Sequence, residues 1–111
     1  MNLFAALKKI RDFERAHLPS LKSIVDFDIL IEIGYAEEQA RPLTLKQVLL
    51  LNISSRTTVR RRLLRLIDQG IIRRRADVND RRASLLTLSP AKLKLMGKYG
   101  GMLTSTFASM N

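Results

Sequence analysis

Arginine is the residue type whose number and spacing in this sequence suggest chemistry. Ten arginines lie between positions 56 and 82, and no lysine stands among them. The guanidinium group is a rigid fork of N–H donors that matches a phosphate or the O6 and N7 edge of guanine, whereas the lysine ammonium is a point charge. A cluster of arginine alone therefore predicts a polyanionic partner better than it predicts a solvated surface.

The positive charge of the chain is unevenly distributed. The net charge is +10, yet residues 1–43 hold six basic and seven acidic side chains, while residues 44–111 hold fourteen basic and three acidic ones. Clustered positive charge of this kind is typical of nucleic-acid binding. We expect double-stranded DNA as the partner of the second part of the chain.

Other chemistries find little support in the sequence. Cysteine is absent and His17 is the single histidine, so no metal or cofactor site is predicted. Asp26 and Asp28 are close in sequence, but residues two apart on a helix face different sides. Glu37 and Glu38 are predicted to be solvated at a helix end. No catalytic residue is predicted, and the chain is not expected to be an enzyme.

Length and hydropathy indicate one domain with a core. The chain has 111 residues, of which 46% are hydrophobic, and its longest uninterrupted apolar run is the five residues from Leu3 to Leu7. A membrane helix needs about 18 apolar residues, and the charged N-terminal segment lacks the apolar region of a signal peptide. These features predict a cytoplasmic, nucleoid-associated protein without membrane partners.

Two helices are predicted before the arginine cluster. The first runs from Asn2 to about Leu18, and the second from Ser20 or Ser23 to about Ala40. Four apolar residues share a face of the second helix: Ile24, Phe27, Ile31 and Tyr35.

Two further helices have clear boundaries. Thr44 and Gln47 form a capping box that opens a short helix, which ends near Asn52, a residue that tolerates a left-handed turn. Ser54 or Ser55 then caps a helix that reaches Gln69. Its apolar stripe is Val59, Leu63, Leu66 and Ile67; Thr57, Arg61, Arg65 and Asp68 are expected to point away from it, with Thr58, Arg60 and Arg62 on its flanks.

A β-hairpin follows Gly70, which is a suitable helix stop. Residues 71–75 form the first predicted strand, residues 76–80 the turn, and residues 81–88 the second strand. Ser89 and Pro90 open a last helix whose middle is weakened by Gly97, Gly100 and Gly101.

This order predicts a mainly α fold with a small β-hairpin wing (α+β), a winged helix-turn-helix DNA-binding domain with flanking helices. We expect one domain over 1–111, with residues 1–18 and 89–111 as dimerisation helices around the winged helix-turn-helix of 19–88. Helix 55–69 would enter the major groove, and wing 71–88 would contact the minor groove or the backbone. The predicted DNA contacts are Ser55, Arg56, Thr57, Thr58, Arg60, Arg61 and Arg65 on the helix, Arg73, Arg74, Arg75, Asp80, Arg81 and Arg82 on the wing, and Thr44 as a phosphate contact at a helix start.

The wing resembles that of the MarR family of transcription regulators. Asp77, Asp80, Arg81 and Arg82 match the tip of the family pattern in order and spacing, and Leu88-Ser89-Pro90 matches its entry to the next helix. The resemblance covers roughly residues 20–95. It implies that Asp80 orients Arg82 towards the minor groove, that the chain forms a homodimer, that it represses transcription, and that a small anionic effector releases it from DNA.

The sequence departs from the family at its C-terminus, which is shorter than usual and carries the three glycines, and in the turn before the arginine-rich helix, which is shifted by about one residue. Two alternatives stay open beside a sequence-specific regulator. One is a non-specific or architectural DNA-binding protein, and the other is a winged-helix module that binds protein or RNA.

Overall fold

The computed structural model describes residues 3–80 and 82–109, in which five helices and one hairpin follow one another. The elements are α1 (Leu3–His17), α2 (Ile24–Glu38), α3 (Leu45–Leu49), α4 (Arg56–Asp68), β1 (Ile72–Ala76), β2 (Ser84–Leu88) and α5 (Pro90–Ala108). The predicted fold class, mainly helical with a small antiparallel hairpin, is confirmed.

The chain divides into two compact units. One holds the residues up to Ser20 together with those from Pro90 onward, and the other is Leu21–Ser89. No helix in the described ranges is both long enough and apolar enough to cross a bilayer. Helix α5 continues through Gly97, Gly100 and Gly101 to Ala108, although glycine lowers helix propensity.

Helices α1 and α5 pack on each other in the first unit. Ala6 and Ile10 are buried on α1, and the Phe13 ring stacks on Tyr99 with 5.5 Å between ring centroids. The Tyr99 hydroxyl donates a hydrogen bond to Glu14 Oε2 at 2.6 Å. Burial and, next, this bond to the Glu14 carboxylate raise the pKa of Tyr99 to about 12. The pair ties the two helices together by a polar as well as an apolar contact.

The core of the second unit is built from every one of its elements. Its buried apolar side chains are Ile29, Leu30, Ile33, Ala36, Val48, Val59, Leu63, Leu66, Ile71, Ile72, Leu86 and Leu88. The apolar stripe predicted for the arginine-rich helix is therefore confirmed at Val59, Leu63 and Leu66.

The buried face of α2 differs from the face chosen from the sequence. Ile24, Ile31 and Tyr35 are 69%, 56% and 60% exposed, while Ile29 and Ile33 are fully buried. The apolar residues of α2 are distributed around the whole helix. Their periodicity alone therefore does not show which side packs against the core. The exposed face leaves three large apolar side chains on the surface of the unit.

The hairpin begins after a left-handed glycine. Gly70 has φ +73°, a conformation that L side chains rarely adopt, and it ends α4 as predicted. The strands pair antiparallel from Ile72 opposite Leu88 to Ala76 opposite Ser84. The predicted start of the second strand at residue 81 was too early, because β2 begins at Ser84 and the Ala83 amide still donates to the Asp80 carbonyl within the turn.

Candidate nucleic-acid interface

The N-terminal half of α4 presents exposed arginines on a capped helix end. Ser55 is the N-cap: its Oγ accepts a hydrogen bond from the Thr58 amide at 3.2 Å and donates to Thr58 Oγ1 at 2.9 Å. Arg56, Arg60 and Arg61 are exposed. Ser55 and Thr58 thus hold each other, while the arginine side chains of the first turns face solvent.

Local interactions set both the start of α3 and the turn between α3 and α4. Thr44 and Gln47 form the predicted capping box, in which the Thr44 amide donates to Gln47 Oε1 at 2.8 Å and Thr44 Oγ1 accepts from the Gln47 amide at 3.2 Å. Asn52 adopts φ 57° and reverses the chain between α3 and α4. The Thr44 amide is therefore occupied within the protein, and the phosphate contact predicted for Thr44 would have to use its hydroxyl group.

Arg65 lies elsewhere than the sequence suggested. Its Nη2 is 3.6 Å from Asp26 Oδ2, and Arg62 Nη1 is 3.8 Å from the same oxygen. Arg65 Nη1 also donates to Gln69 Oε1 at 3.1 Å. The prediction that Arg65 points away from the apolar stripe is wrong for its guanidinium group, because the side chain is long enough to fold back to a carboxylate on α2.

The wing carries three exposed arginines in succession. Arg73, Arg74 and Arg75 pair with Thr87, Leu86 and Leu85 across the hairpin, and all three are exposed. Side chains alternate along a strand, so Arg74 points to the opposite face from its two neighbours. The first strand therefore displays guanidinium groups on both of its faces.

One concave surface gathers basic residues from two helices, one strand and the wing turn. Lys46 of α3, Arg60 of α4, Arg74 of β1 and Arg82 of the wing turn all line it, and its other lining residues are Thr44, Leu45, Gln47, Asp80, Ala83, Ser84 and Leu86. We call this the basic concavity. Lys46 was missed from the sequence, because a single exposed lysine in a short helix gives no signal until the fold places it beside arginines.

The wing turn is shaped by two aspartates. Asp77 Oδ1 accepts from the Asn79 amide at 2.9 Å, and Asp80 Oδ1 accepts from the Arg82 amide at 3.0 Å. Asp80 thus contacts Arg82 through its backbone amide, which positions the residue and leaves its exposed side chain pointing to solvent. Arg81, also predicted as a contact, lies outside the described residues.

Strand β2 is attached to the helical part of its unit at two points. Thr44 forms an antiparallel bridge with Leu85, in which the Leu86 amide donates to the Leu43 carbonyl at 2.8 Å, and the Leu88 amide donates to Glu37 Oε1 at 3.0 Å. The prediction that Glu37 is merely solvated is wrong. Its partner is 51 residues away in sequence, a distance over which no local pattern gives a signal.

Within the described ranges, no group of three histidine, cysteine, aspartate or glutamate side chains is arranged to hold a metal ion. The residues that the sequence predicted as DNA contacts form a positively charged surface. A short helix, a left-handed turn, a second helix and a basic hairpin together define a winged helix-turn-helix protein.

Comparison with solved structures shows which winged helix-turn-helix proteins share this fold. The fold is the one found in MarR-family regulators, and the resemblance noted in the sequence is confirmed at the level of the fold. The chain is similar to MepR of S. aureus in a DNA complex (TM-score 0.73, 19% identity), over 97% of this chain and 80% of that one.

Two further structures are a transcriptional regulator from Thermotoga maritima (TM-score 0.67, 23% identity, covering 97% of this chain and 74% of that one) and BpsR of Bordetella bronchiseptica, whose DNA binding is regulated by 6-hydroxynicotinic acid (TM-score 0.56, 22% identity, 96% and 74%). No protein-family model and no curated protein matches the sequence.

Proposed function

We propose that the chain is a sequence-specific, double-stranded DNA-binding transcription regulator that acts as a homodimer and represses its target. The observation that carries the proposal is the basic concavity, where Lys46, Arg60, Arg74 and Arg82 meet beside the exposed N-terminal turns of α4. A similar fold in complex with DNA supports it.

Helix α4 is the proposed reader of the major groove. That groove admits one α-helix, and its base edges distinguish all four base pairs. Arg56, Thr57, Arg60 and Arg61 are exposed on the turns that usually meet base edges. Each arginine matches the O6 and N7 acceptors of guanine. Thr58 and Thr44 are assigned to phosphates through hydroxyl groups that stand at the starts of α4 and α3. Ser55, whose hydroxyl donates to Thr58 Oγ1, supports that phosphate contact by holding the Thr58 hydroxyl in place.

The wing is the proposed contact to the adjacent minor groove or backbone. Arg82, whose backbone Asp80 holds, stands at the turn, and Arg81 next to it joins the same proposal. Arginine inserted into a narrow minor groove responds to its strong negative potential. Arg73 and Arg75, on one face of β1, are assigned to phosphates, and Arg74, on the other, faces the basic concavity.

The unit built from α1 and α5 is the proposed dimerisation element. It leaves large apolar side chains exposed, among them Phe4 at 79% and Leu3 at 52%. Exposed apolar patches of this kind mark interaction surfaces, and a second copy of the chain would cover them. A small-molecule effector belongs to the same proposal, by likeness to BpsR.

Selection of bound sequences from a random duplex pool tests the proposal. A specific dimer should enrich a two-fold symmetric consensus whose half-sites are about one helical turn apart. A dimer that makes about 6–10 phosphate contacts should bind with a log–log salt slope of about −5 to −9. Equal binding to single-stranded RNA and to random duplex would refute the regulator and favour the RNA-binding alternative.

A non-specific architectural role is the second candidate, favoured by the excess of fourteen basic over three acidic residues in 44–111. Arg61→Ala separates the two. In a specific reader it should relax the preference at one base pair by about 1–3 kcal/mol. Arg73→Ala is the matched control, because loss of a phosphate contact weakens all sequences alike. Uniform weakening by both variants would favour the architectural role.

A further inference from the structure

A carboxylate is completely buried between α2 and the candidate reading helix. Asp26 has no solvent exposure, and its Oδ2 accepts a hydrogen bond from the Lys22 amide at 2.9 Å. The same oxygen lies 3.6 Å from Arg65 Nη2 and 3.8 Å from Arg62 Nη1. Within the described part of the chain, Asp26 Oδ1 has no hydrogen-bond partner. The Lys22 amide and the two guanidinium groups therefore supply the compensation that a buried negative charge requires.

This arrangement changes what α4 offers to DNA. Five arginines lie on α4, and two of them, Arg62 and Arg65, are turned towards the protein with side chains only 30% and 25% exposed. Arg65 follows Arg61 by four residues, so the two start from the same side of the helix. Without Asp26, the Arg65 guanidinium would be able to extend on the side that Arg61 presents to a duplex.

We propose that Asp26 is a specificity-determining positioning residue, which withholds Arg62 and Arg65 from the DNA backbone. The inference rests on the proposed function. Phosphate contacts strengthen binding to every sequence, whereas base contacts distinguish sequences. A carboxylate that occupies two arginines lowers affinity for random DNA and leaves base reading by Arg56, Arg60 and Arg61 intact.

The primary test is the salt dependence of binding to a random-sequence duplex, which needs no knowledge of a preferred site. Each phosphate contact contributes about −0.9 to the log–log slope, so Asp26→Asn should make the slope steeper by about 1 to 2. Random duplex should also be bound more tightly at low salt. A merely structural role for Asp26 predicts the opposite sign, a loss of affinity with an unchanged or shallower slope.

A matched control separates this effect from net charge. Asp28→Asn removes one negative charge from the same helix, two residues away and therefore on a different side. It should leave the slope within about 0.5 of the parent, since it frees no arginine. An equal change in both variants would overturn the proposal.

Two arginine variants complete the design. Arg62→Gln and Arg65→Gln added to Asp26→Asn should restore the parental slope. Arg65→Gln alone, which leaves Arg62 with Asp26, should not alter the slope, whereas Arg73→Gln, at a residue assigned to a phosphate, should make it shallower by about 0.9. The two single arginine variants show whether Arg65 contacts DNA in the parent protein, even if circular dichroism shows that Asp26→Asn fails to fold. A shallower slope for Arg65→Gln overturns the inference.

The outcomes separate the inference from the function on which it rests. If the random pool yields no consensus while Asp26→Asn still steepens the slope, the specific-regulator proposal fails and the withholding role stands. If a consensus emerges but the slope is unmoved by Asp26→Asn, only the inference fails. Absence of binding to any duplex refutes both.

Discussion

Removal of the Glu37 side chain should loosen the wing from the rest of its unit. Glu37 Oε1 accepts the Leu88 amide at 3.0 Å in a partly buried setting, and this amide belongs to the last residue of β2. Hydrogen bonds to charged groups contribute about 1.5–3 kcal/mol, and partial exposure places this one near the lower end. Glu37→Ala should therefore cost the hairpin about 1.5–2 kcal/mol, and Glu37→Gln, which keeps a neutral acceptor, about half as much.

Amide hydrogen exchange at Leu88, read by NMR, measures this cost directly. A loss of about 1.5–2 kcal/mol corresponds to exchange that is about 10- to 30-fold faster, if the amide exchanges by local opening. Glu38→Ala is the control, since Glu38 is the exposed neighbour at the same helix end and shares any repulsion with the helix dipole. Exchange within about threefold of the parent in Glu37→Ala, or equal acceleration in Glu38→Ala, would refute the reasoning.

Three further expectations follow from local geometry. Gly70→Ala should destabilise the protein by about 1 kcal/mol, because φ at this position is +73°. Gly97→Ala, at a helical site with open space around the added Cβ, should stabilise the protein by about 0.5–1 kcal/mol. Urea denaturation measures both changes, and the same sign for the two variants would contradict this reasoning. Ser55→Ala should cost about 1 kcal/mol by removing the N-cap of α4, with Ser54→Ala as the neutral control in thermal melts. Tyr99 should ionise at about pH 12 in a spectrophotometric titration, assigned by its loss in Tyr99→Phe. Because the pKa of Tyr99 is raised in the folded state, its stabilising contribution is complete below the unfolded-state pKa near 10 and is lost as pH rises through about 12. If the free energy of unfolding of Tyr99→Phe falls as steeply between pH 10 and 12 as that of the parent, the assignment is contradicted.

Features fixed by a few neighbouring residues were predictable from the sequence. The Thr44–Gln47 capping box, the left-handed Asn52 and the helix stop at Gly70 all depend on interactions within one turn, and all three are confirmed. The bounds of α4 follow to within one residue for the same reason. Local chemistry therefore accounts for the order of the elements and for the position of α4.

Features that depend on distant partners were not predictable. Residue spacing gives the direction of the Arg65 Cα–Cβ bond, but not the presence of Asp26 on another helix, to which the side chain bends. Glu37 at a helix end looked like an ordinary solvated residue until the fold brought the Leu88 amide to it. The face of α2 that packs was also hidden, because Ile24 and Ile29 are equally apolar.

The two attachments of β2 have an evolutionary consequence. Leu43 and Thr44 bond to the strand through backbone groups, and Glu37 accepts from the backbone amide of Leu88. These hydrogen bonds therefore do not depend on the side chains of the strand. Point mutations at the exposed positions of the hairpin, such as Arg75 or Arg82, therefore leave the attachments in place. Under the proposed function, a lineage of such chains would be able to acquire new DNA preferences at the wing through single substitutions, without rebuilding the core that holds it.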